Sequence, residues 1–266
     1  MSSVDAELAI RAAQAGAEVV RSHHGTSVDH FAKSGWDFAT TADVEAEEAI
    51  LAVLRTARPD DALLAEESGR SGSVGDGRVW LVDPLCGTLN FAVHTMLVSV
   101  NVALRVGAQV VVAAAVDPFA QEVFWTDGTG ARVRRAGADQ RLTPSAVSGL
   151  VDVNLDPPWP NERVFRAARL LADEGFTARF RPRVVSTTLA LAWVAAGRRA
   201  AYVTDGQLRD NVHFAAGIAL CAAAGCVVTG IDGRPWHSGR GGLVAAADAG
   251  THAELLALIA AQRDPA

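Results

Sequence analysis

Lysine is almost missing from this chain: Lys33 is the only one among 24 basic residues, against 30 acids, and the net charge is −6. A surface so short of positive charge matches a polyanion poorly, so nucleic acid is not expected among the partners. Cysteine is scarce too. Cys86, Cys221 and Cys226 are odd in number and contain no C-x-x-C pair, which argues against a disulfide framework and fits a reduced setting. No uncharged apolar run reaches membrane-spanning length, and the first residues carry Asp5 and Glu7 within a helical pattern in place of a basic-then-apolar leader. The expectation is a soluble, cytoplasmic protein with no membrane partner.

Half of the 266 residues are apolar, enough for a large core built as one domain or as two coupled halves. Helical periodicity over 4–22 and 44–54 is followed by apolar runs at 62–65, 98–106 and 109–116, the last two separated by the hairpin signal Gly107-Ala108. Residues 68–78 are rich in Gly and Ser and read as a loop. The polar, Arg-rich stretch 130–147 sets a boundary near 145, giving an α+β half over 1–145 and an α/β half over 146–266. In the second half, helices are expected over 162–174, 187–196, 213–224 and 251–262. Strands are expected at 151–154, 177–180, 200–203, 227–229 and 242–246.

The chemistry gathers at Trp80-Leu81-Val82-Asp83-Pro84-Leu85-Cys86-Gly87-Thr88-Leu89-Asn90-Phe91. An apolar run stops at a carboxylate, proline forbids further strand pairing, and glycine lets the backbone turn. Upstream, Leu63-Leu64-Ala65 ends in Glu66-Glu67 in the same way. Two strand ends bearing carboxylates point to a cation site. Between Asp37 and Asp43, capping of the following helix by Thr41 or Asp43 accounts for one aspartate but not both. His23 and His24, adjacent at a helix end, diverge and are not read as ligands. Arg132, Arg134 and Arg135 read as a solvated hairpin edge, and Cys221 and Cys226 as small buried hydrophobes.

With these segments in place the sequence resembles the inositol monophosphatase family, magnesium-dependent and lithium-sensitive phosphomonoesterases. The family's central signature, Asp-Pro-x-Asp-Gly-Thr-x-Asn-Phe, is met by Asp83, Pro84, Gly87, Thr88, Asn90 and Phe91. Asp37, Thr40 and Asp43 meet its Asp-x-x-Thr-x-x-Asp element, Glu66 and Glu67 its Glu-Glu element, and Ala215, Ala216 and Gly217 its Ala-Ala-Gly helix. The resemblance implies a layered αβαβα sandwich of the sugar-phosphatase type and, as for most of the family, a homodimer. It also implies a first Mg²⁺ held by Glu66, Asp83 and the Leu85 carbonyl, with Asp43 and Thr88 orienting the attacking water. Gly87, Thr88, Asp205 and Gly206 fall where the substrate would bind, which by resemblance is a small phosphorylated metabolite such as a polyol phosphate.

The departures meet at one place. Two of the three aspartates that form the family's second metal site are replaced, by Cys86 and His213, and only Asp83 remains. Three readings stay open. In the first, Asp83, Cys86 and His213 hold Zn²⁺, Fe²⁺ or Mn²⁺ in place of Mg²⁺ and ester hydrolysis survives. In the second, Cys86 and His213 are a thiol–imidazole pair for different chemistry. In the third, the protein binds a ligand or partner without turnover. The first is adopted as the expectation: metal-dependent hydrolysis of a phosphate monoester with an altered second site, using Asp43, Thr88, Cys86 and His213.

Overall fold

A computed structural model of the protein describes residues 2–33, 37–72, 77–156, 165–206, 208, 211–238 and 241–262. The chain folds into two units. The first comprises Met1–Arg141, Thr187–Leu189 and Val212–Leu220; the second comprises Leu142–Ser186, Ala190–Asn211 and Cys221–Ala266.

In the first unit the order is α1 (Ser2–His23), β1 (His30–Ala32), β2 (Phe38–Thr40), α2 (Thr41–Ala57), β3 (Ala62–Ala65), β4 (Gly69–Ser71) and β5 (Arg78–Cys86). After α3 (Thr88–Ala92) come β6 (Ser99–Val106), β7 (Gln109–Asp117), β8 (Glu122–Thr126), β9 (Ala131–Arg135) and β10 (Ala138–Arg141). Strands β3 to β10 form one sheet in the order β10-β9-β8-β7-β6-β5-β3-β4. Only β3 and β5 run parallel within it, so their carboxyl ends emerge side by side. Side chains alternate across a strand, and β5 uses both faces. Trp80 and Val82 pack with Leu8, Ala12, Ile50 and Leu54 of α1 and α2, while Val79 and Leu81 pack with Ala103, Ala113, Ala215 and Ala216. Helices α1 and α2 approach closely at Gly16, where a Cβ would lie 2.7 Å from Ile50 Cδ1. The buried indole of Trp80 donates to Asp61 Oδ2 at 2.8 Å, which satisfies its one polar group.

The second unit contains β11 (Leu150–Asn154), a 3₁₀ helix (Ala167–Ala172), α4 (Glu174–Arg179) and β12 (Arg181–Val184). Then follow α5 (Leu189–Ala195), β13 (Ala201–Thr204), α6 (Val212–Ala224), β14 (Val227–Thr229), β15 (Leu243–Ala246) and α7 (Ala249–Ala261). Helices α5 and α6 begin with residues of the first unit. The five strands are ordered β12-β11-β13-β15-β14. Val151, Val153, Phe165, Leu170, Phe176, Leu255 and Ile259 are among the residues of the core.

Two stretches differ from the sequence expectation. Residues 177–180, expected as a strand, complete helix α4 and its C-cap, because Asp173 accepts from Phe176 N at 2.8 Å and starts a helix there. The strand follows at Arg181–Val184 on the sheet edge, where Pro182 is tolerated and no apolar alternation marks it. The helix expected over 162–174 is a 3₁₀ helix over Ala167–Ala172, residues 157–164 lying outside the described residues. The loop expected over 68–78 contains the edge strand β4, paired with β3; residues 73–76 are outside the described residues. The Arg-rich hairpin is ion-paired locally: Arg134 with Glu7 and Asp139, Arg135 with Glu122.

Candidate active site

Parallel pairing of Ala65 with Val82 places Glu66, one residue past β3, next to Asp83 of β5, and Glu66 N donates to Val82 O at 3.1 Å. Asp83 and Cys86 are three residues apart and would face opposite sides of a regular strand. Instead β5 bulges: Asp83 pairs with Asn101 and Cys86 with Ser99, so one extra residue is inserted between them. The bulge brings both side chains to one face. Gly87 follows with φ of 106°, a left-handed turn that leads into α3 and presents Thr88.

Asp43, fully buried at the third position of α2, divides its two oxygens between two tasks. Oδ2 accepts from Thr40 N at 2.7 Å and Thr40 Oγ1 at 2.6 Å, the returning half of a capping box. Oδ1 accepts from Thr88 Oγ1 at 2.9 Å, and Thr88 Oγ1 also lies 3.3 Å from the Leu85 carbonyl. The helix cap and a site contact thus share one carboxylate. Burial pushes its pKa up, against the hydrogen bonds from Thr40 and Thr88.

His213, at the start of α6, places Nδ1 2.9 Å from Asp83 Oδ2 and 3.8 Å from Glu66 Oε2. Burial works against its charged form, but the Asp83 charge and hydrogen bond win and hold the imidazole pKa well above its ordinary value. Asp83 is fully buried. Burial alone would raise its carboxyl; the His213 charge, with hydrogen bonds from His213 and Asn101, brings it down. Burial and the Asp83 charge push Glu66 up to about 8, despite His213 and Lys33. Burial, then the Asp83 charge, also raises the Cys86 thiol.

Several partners were not legible beforehand. Lys33 donates to Glu66 Oε1 at 2.9 Å and Glu67 Oε1 at 2.7 Å. Glu47 is buried and accepts from Glu67 N and Ser68 N at 2.7 and 2.8 Å. Asn101 Nδ2 donates to Asp83 Oδ2 at 3.2 Å, and Thr188 N donates to Cys86 Sγ at 3.3 Å. The isolation of Lys33 in the sequence is the one signal that could have singled it out.

Asp43, Glu66, Asp83, Leu85, Cys86, Gly87, Thr88 and His213 all belong to the first unit. Asp205 and Gly206 belong to the second, where Asp205 is buried 3.1 Å from Arg166 Nε. Asp210 and Gln207, neighbours of this segment, lie outside the described residues. His23 contacts Glu45 and His24 packs on Phe119 and Phe91, so neither enters the site.

The sequence pattern of inositol monophosphatases is matched over residues 2–264. The chain belongs to the inositol monophosphatase family. Membership makes it a phosphomonoesterase-like protein of a metal-dependent phosphatase family. It is 32% identical over 267 residues to a protein of Salmonella typhimurium named Nus factor SuhB, covering 97% of this chain and 95% of the relative. It is 30% identical over 232 residues to the inositol-1-monophosphatase of Caulobacter vibrioides, covering 84% of this chain and 88% of that one. The fold matches the SuhB structure from Bartonella henselae with a TM-score of 0.85 at 24% identity, covering 97% of this chain and 98% of the other. It matches the Anabaena inositol monophosphatase structure with a TM-score of 0.79 at 25% identity, covering 98% and 97%. This mixed α/β chain therefore has the inositol monophosphatase fold.

The family's divalent ion can be tested against the residues present. Glu66 Oε2 and Asp83 Oδ1 are buried and accept no hydrogen bond from the described residues. Two such carboxylate oxygens, side by side on the parallel strands β3 and β5, fit a hard cation in the first position. The second position is different. Its carboxylate Asp83 is joined by a thiol and an imidazole, a poor set for Mg²⁺.

Proposed function

We propose that this protein hydrolyses a small phosphate monoester, of the polyol or sugar-alcohol phosphate class, with a divalent ion held by Glu66, Asp83 and the Leu85 carbonyl. The observation that carries the reading is the Thr88–Asp43 hydrogen bond. Because Thr88 donates its hydroxyl proton to Asp43, its lone pairs are left to accept a proton from a water. That proton passes to Thr88 as the Thr88 proton passes to Asp43, whose burial-raised pKa favours the transfer. The ion, when bound, supplies Lewis acidity to the phosphoryl group. Gly87 and Thr88, at the turn after β5, contact the phosphate, and His213 faces the alkoxide side. Mg²⁺ serves the first position; Zn²⁺ or Mn²⁺ suits the second. The protein works as a homodimer in the cytoplasm; no helix among the described residues is long and apolar enough to cross a membrane.

The test is phosphate release from a panel of polyol and sugar phosphates across Mg²⁺, Mn²⁺ and Zn²⁺. Thr88→Ala should lower kcat about 10²- to 10⁴-fold, the range for a lost general-base path. Unchanged kcat in Thr88→Ala would refute the relay. Burial leaves the Cys86 thiol protonated, which weighs against its use as a free nucleophile.

A second reading, binding without turnover, draws support from one observation. Lys33 and His213 already occupy Glu66 Oε1 and Asp83 Oδ2, so both carboxylates have cationic partners without an ion. The relatives named Nus factor give this reading its form, a protein that acts through a partner. It predicts no phosphate release with any divalent ion, and partner affinity unchanged in Glu66→Gln.

A further inference from the structure

We propose that Asp83, Cys86 and His213 form a three-residue site for a borderline divalent ion, Zn²⁺ in preference to Mg²⁺, with one coordination position open to a substrate oxygen. The inference rests on the metal-dependent reading above and specifies the ion class of its second position. The three side chains each offer one donor atom, and these atoms all lie within 4.8 Å of one another. A tetrahedral ion with bonds of about 2.0–2.3 Å sets its ligand atoms roughly 3.3–3.8 Å apart. Small side-chain rotations close that gap at its widest and open the 2.9 Å Asp83–His213 contact to the same value.

Donor chemistry decides the ion. Mg²⁺ takes oxygen ligands in octahedral geometry and parts reluctantly with its waters, whereas thiolate with imidazole and carboxylate is a set that Zn²⁺ accepts. Three protein ligands and an open fourth place is the arrangement of catalytic zinc sites, in contrast to the closed four-ligand structural ones. The surroundings are built for this set. Thr188 N donates to Cys86 Sγ at 3.3 Å, a hydrogen bond that favours thiolate, and Asn101 Nδ2 reaches both Asp83 Oδ2 at 3.2 Å and Thr188 Oγ1 at 3.0 Å. One amide therefore ties the carboxylate to the segment that supports the thiol, as outer partners do around ligated metals. The β5 bulge gives Asp83 and Cys86 their common face, with Asp83 Oδ2 turned to His213. On binding, two protons leave to solvent, one from the Cys86 thiol and one from the ligating ring nitrogen of His213, and the ion takes the thiolate and the freed imidazole lone pair.

The test uses the full chain stripped of metal and titrated with Co²⁺ alone. A thiolate-to-cobalt charge-transfer band should saturate by two equivalents, the two positions together, bleach with two equivalents of Zn²⁺, and survive a large excess of Mg²⁺. Cys86→Ser should remove the band and weaken Zn²⁺ at least about 100-fold, beyond the 10–100-fold typical of losing an outer partner. Circular dichroism checks that this variant is folded. The double variant Cys221→Ser with Cys226→Ser should keep the band. No thiolate band, a band that survives Cys86→Ser, or displacement of Co²⁺ by equimolar Mg²⁺ overturns the proposal. Glu66→Gln separates the two readings, because it should abolish phosphate release while leaving the cobalt band. A protein with the band but no hydrolysis loses the phosphatase reading alone; hydrolysis without the band loses only this inference.

Discussion

Replacing Glu47 by Gln removes a charge and one of two acceptor oxygens from the turn that carries Glu66. Both oxygens are in use, Oε2 on Glu67 N at 2.7 Å and Oε1 on Ser68 N at 2.8 Å, with the side chain only 3% exposed. Hydrogen bonds to a charged acceptor contribute about 1.5–3 kcal/mol each, against about 0.5–1.5 kcal/mol for a neutral one. Glutamine keeps one bond at the lower value, a loss of about 1 kcal/mol, and turns an N–H toward the other backbone N–H, leaving that part-buried donor unpaired at about 1–3 kcal/mol, a cost that already includes its lost bond. The expected loss is about 2–4 kcal/mol, or a Tm lower by roughly 5–15 °C at the slope for chains of this size. Because the displaced turn is the one bearing Glu66, kcat/KM should fall by about 10- to 100-fold as well. Urea and thermal unfolding, with Glu48→Gln as the exposed control expected within about 0.5 kcal/mol, read the first effect. A Glu47→Gln variant as stable and active as the control would refute the assignment of Glu47 as a positioning residue.

Arg199→Met should cost about 3–5 kcal/mol, because Arg199 Nε lies 2.9 and 2.8 Å from the two oxygens of the fully buried Asp152, which would be left as an unpaired charge; adding Asp152→Asn should recover part of the loss in urea unfolding. His252, buried beside Thr229 Oγ1 at 2.8 Å, has its pKa lowered by burial, so the unfolded chain binds the proton more readily. Its contribution is complete above the ordinary value of 6.5 and is lost as pH falls through 6.5 toward the folded value, and His252→Gln should flatten the stability–pH curve in that window. Cys86→Asp with His213→Asp restores oxygen ligands to the second position and should raise Mg²⁺-dependent phosphate release at least about tenfold, the change expected from one outer partner or more. No gain in that variant would count against the phosphatase reading.

What the sequence made legible was whatever the chain encodes locally. Apolar runs reaching Glu66 and Asp83, and Gly87 after the second, are short-range signals that mark β3 and β5; Pro84, expected to end pairing at Asp83, instead lies inside the bulge of β5, which pairs on to Cys86 opposite Ser99. Thr40 rather than Thr41 caps α2, a one-residue difference that leaves Asp43 at the third position with an oxygen to spare for Thr88. Glu47, Lys33, Asn101 and Thr188 were not legible because their roles depend on tertiary contact. Lys33 meets Glu66 across 33 residues and Asn101 meets Thr188 across 87. The β5 bulge was hidden too: period-2 alternation from Asp83 puts Cys86 on the wrong face, and only pairing with β6 shows the inserted residue. Strand β12 escaped for a physical reason of its own, since an edge strand reading Arg-Pro-Arg-Val has little to bury.

The two exchanged ligands give the site an order of filling. On the proposed reading, the first ion displaces one proton, that of Glu66, and leaves Lys33 on Glu66 Oε1 and His213 on Asp83 Oδ2 in place. It also offsets the burial and, after it, the Asp83 charge that push Glu66 up to about 8. An ion in the second position must break the 2.9 Å imidazolium–carboxylate contact and displace two protons, from the ring and from the buried thiol, a cost that only strong bonds to sulfur and nitrogen offset. Mg²⁺ forms no such bonds, so the same substitutions that leave the first position open to Mg²⁺ close the second to it. Selectivity between the two positions therefore follows from Cys86 and His213 alone, with Asp83 common to both.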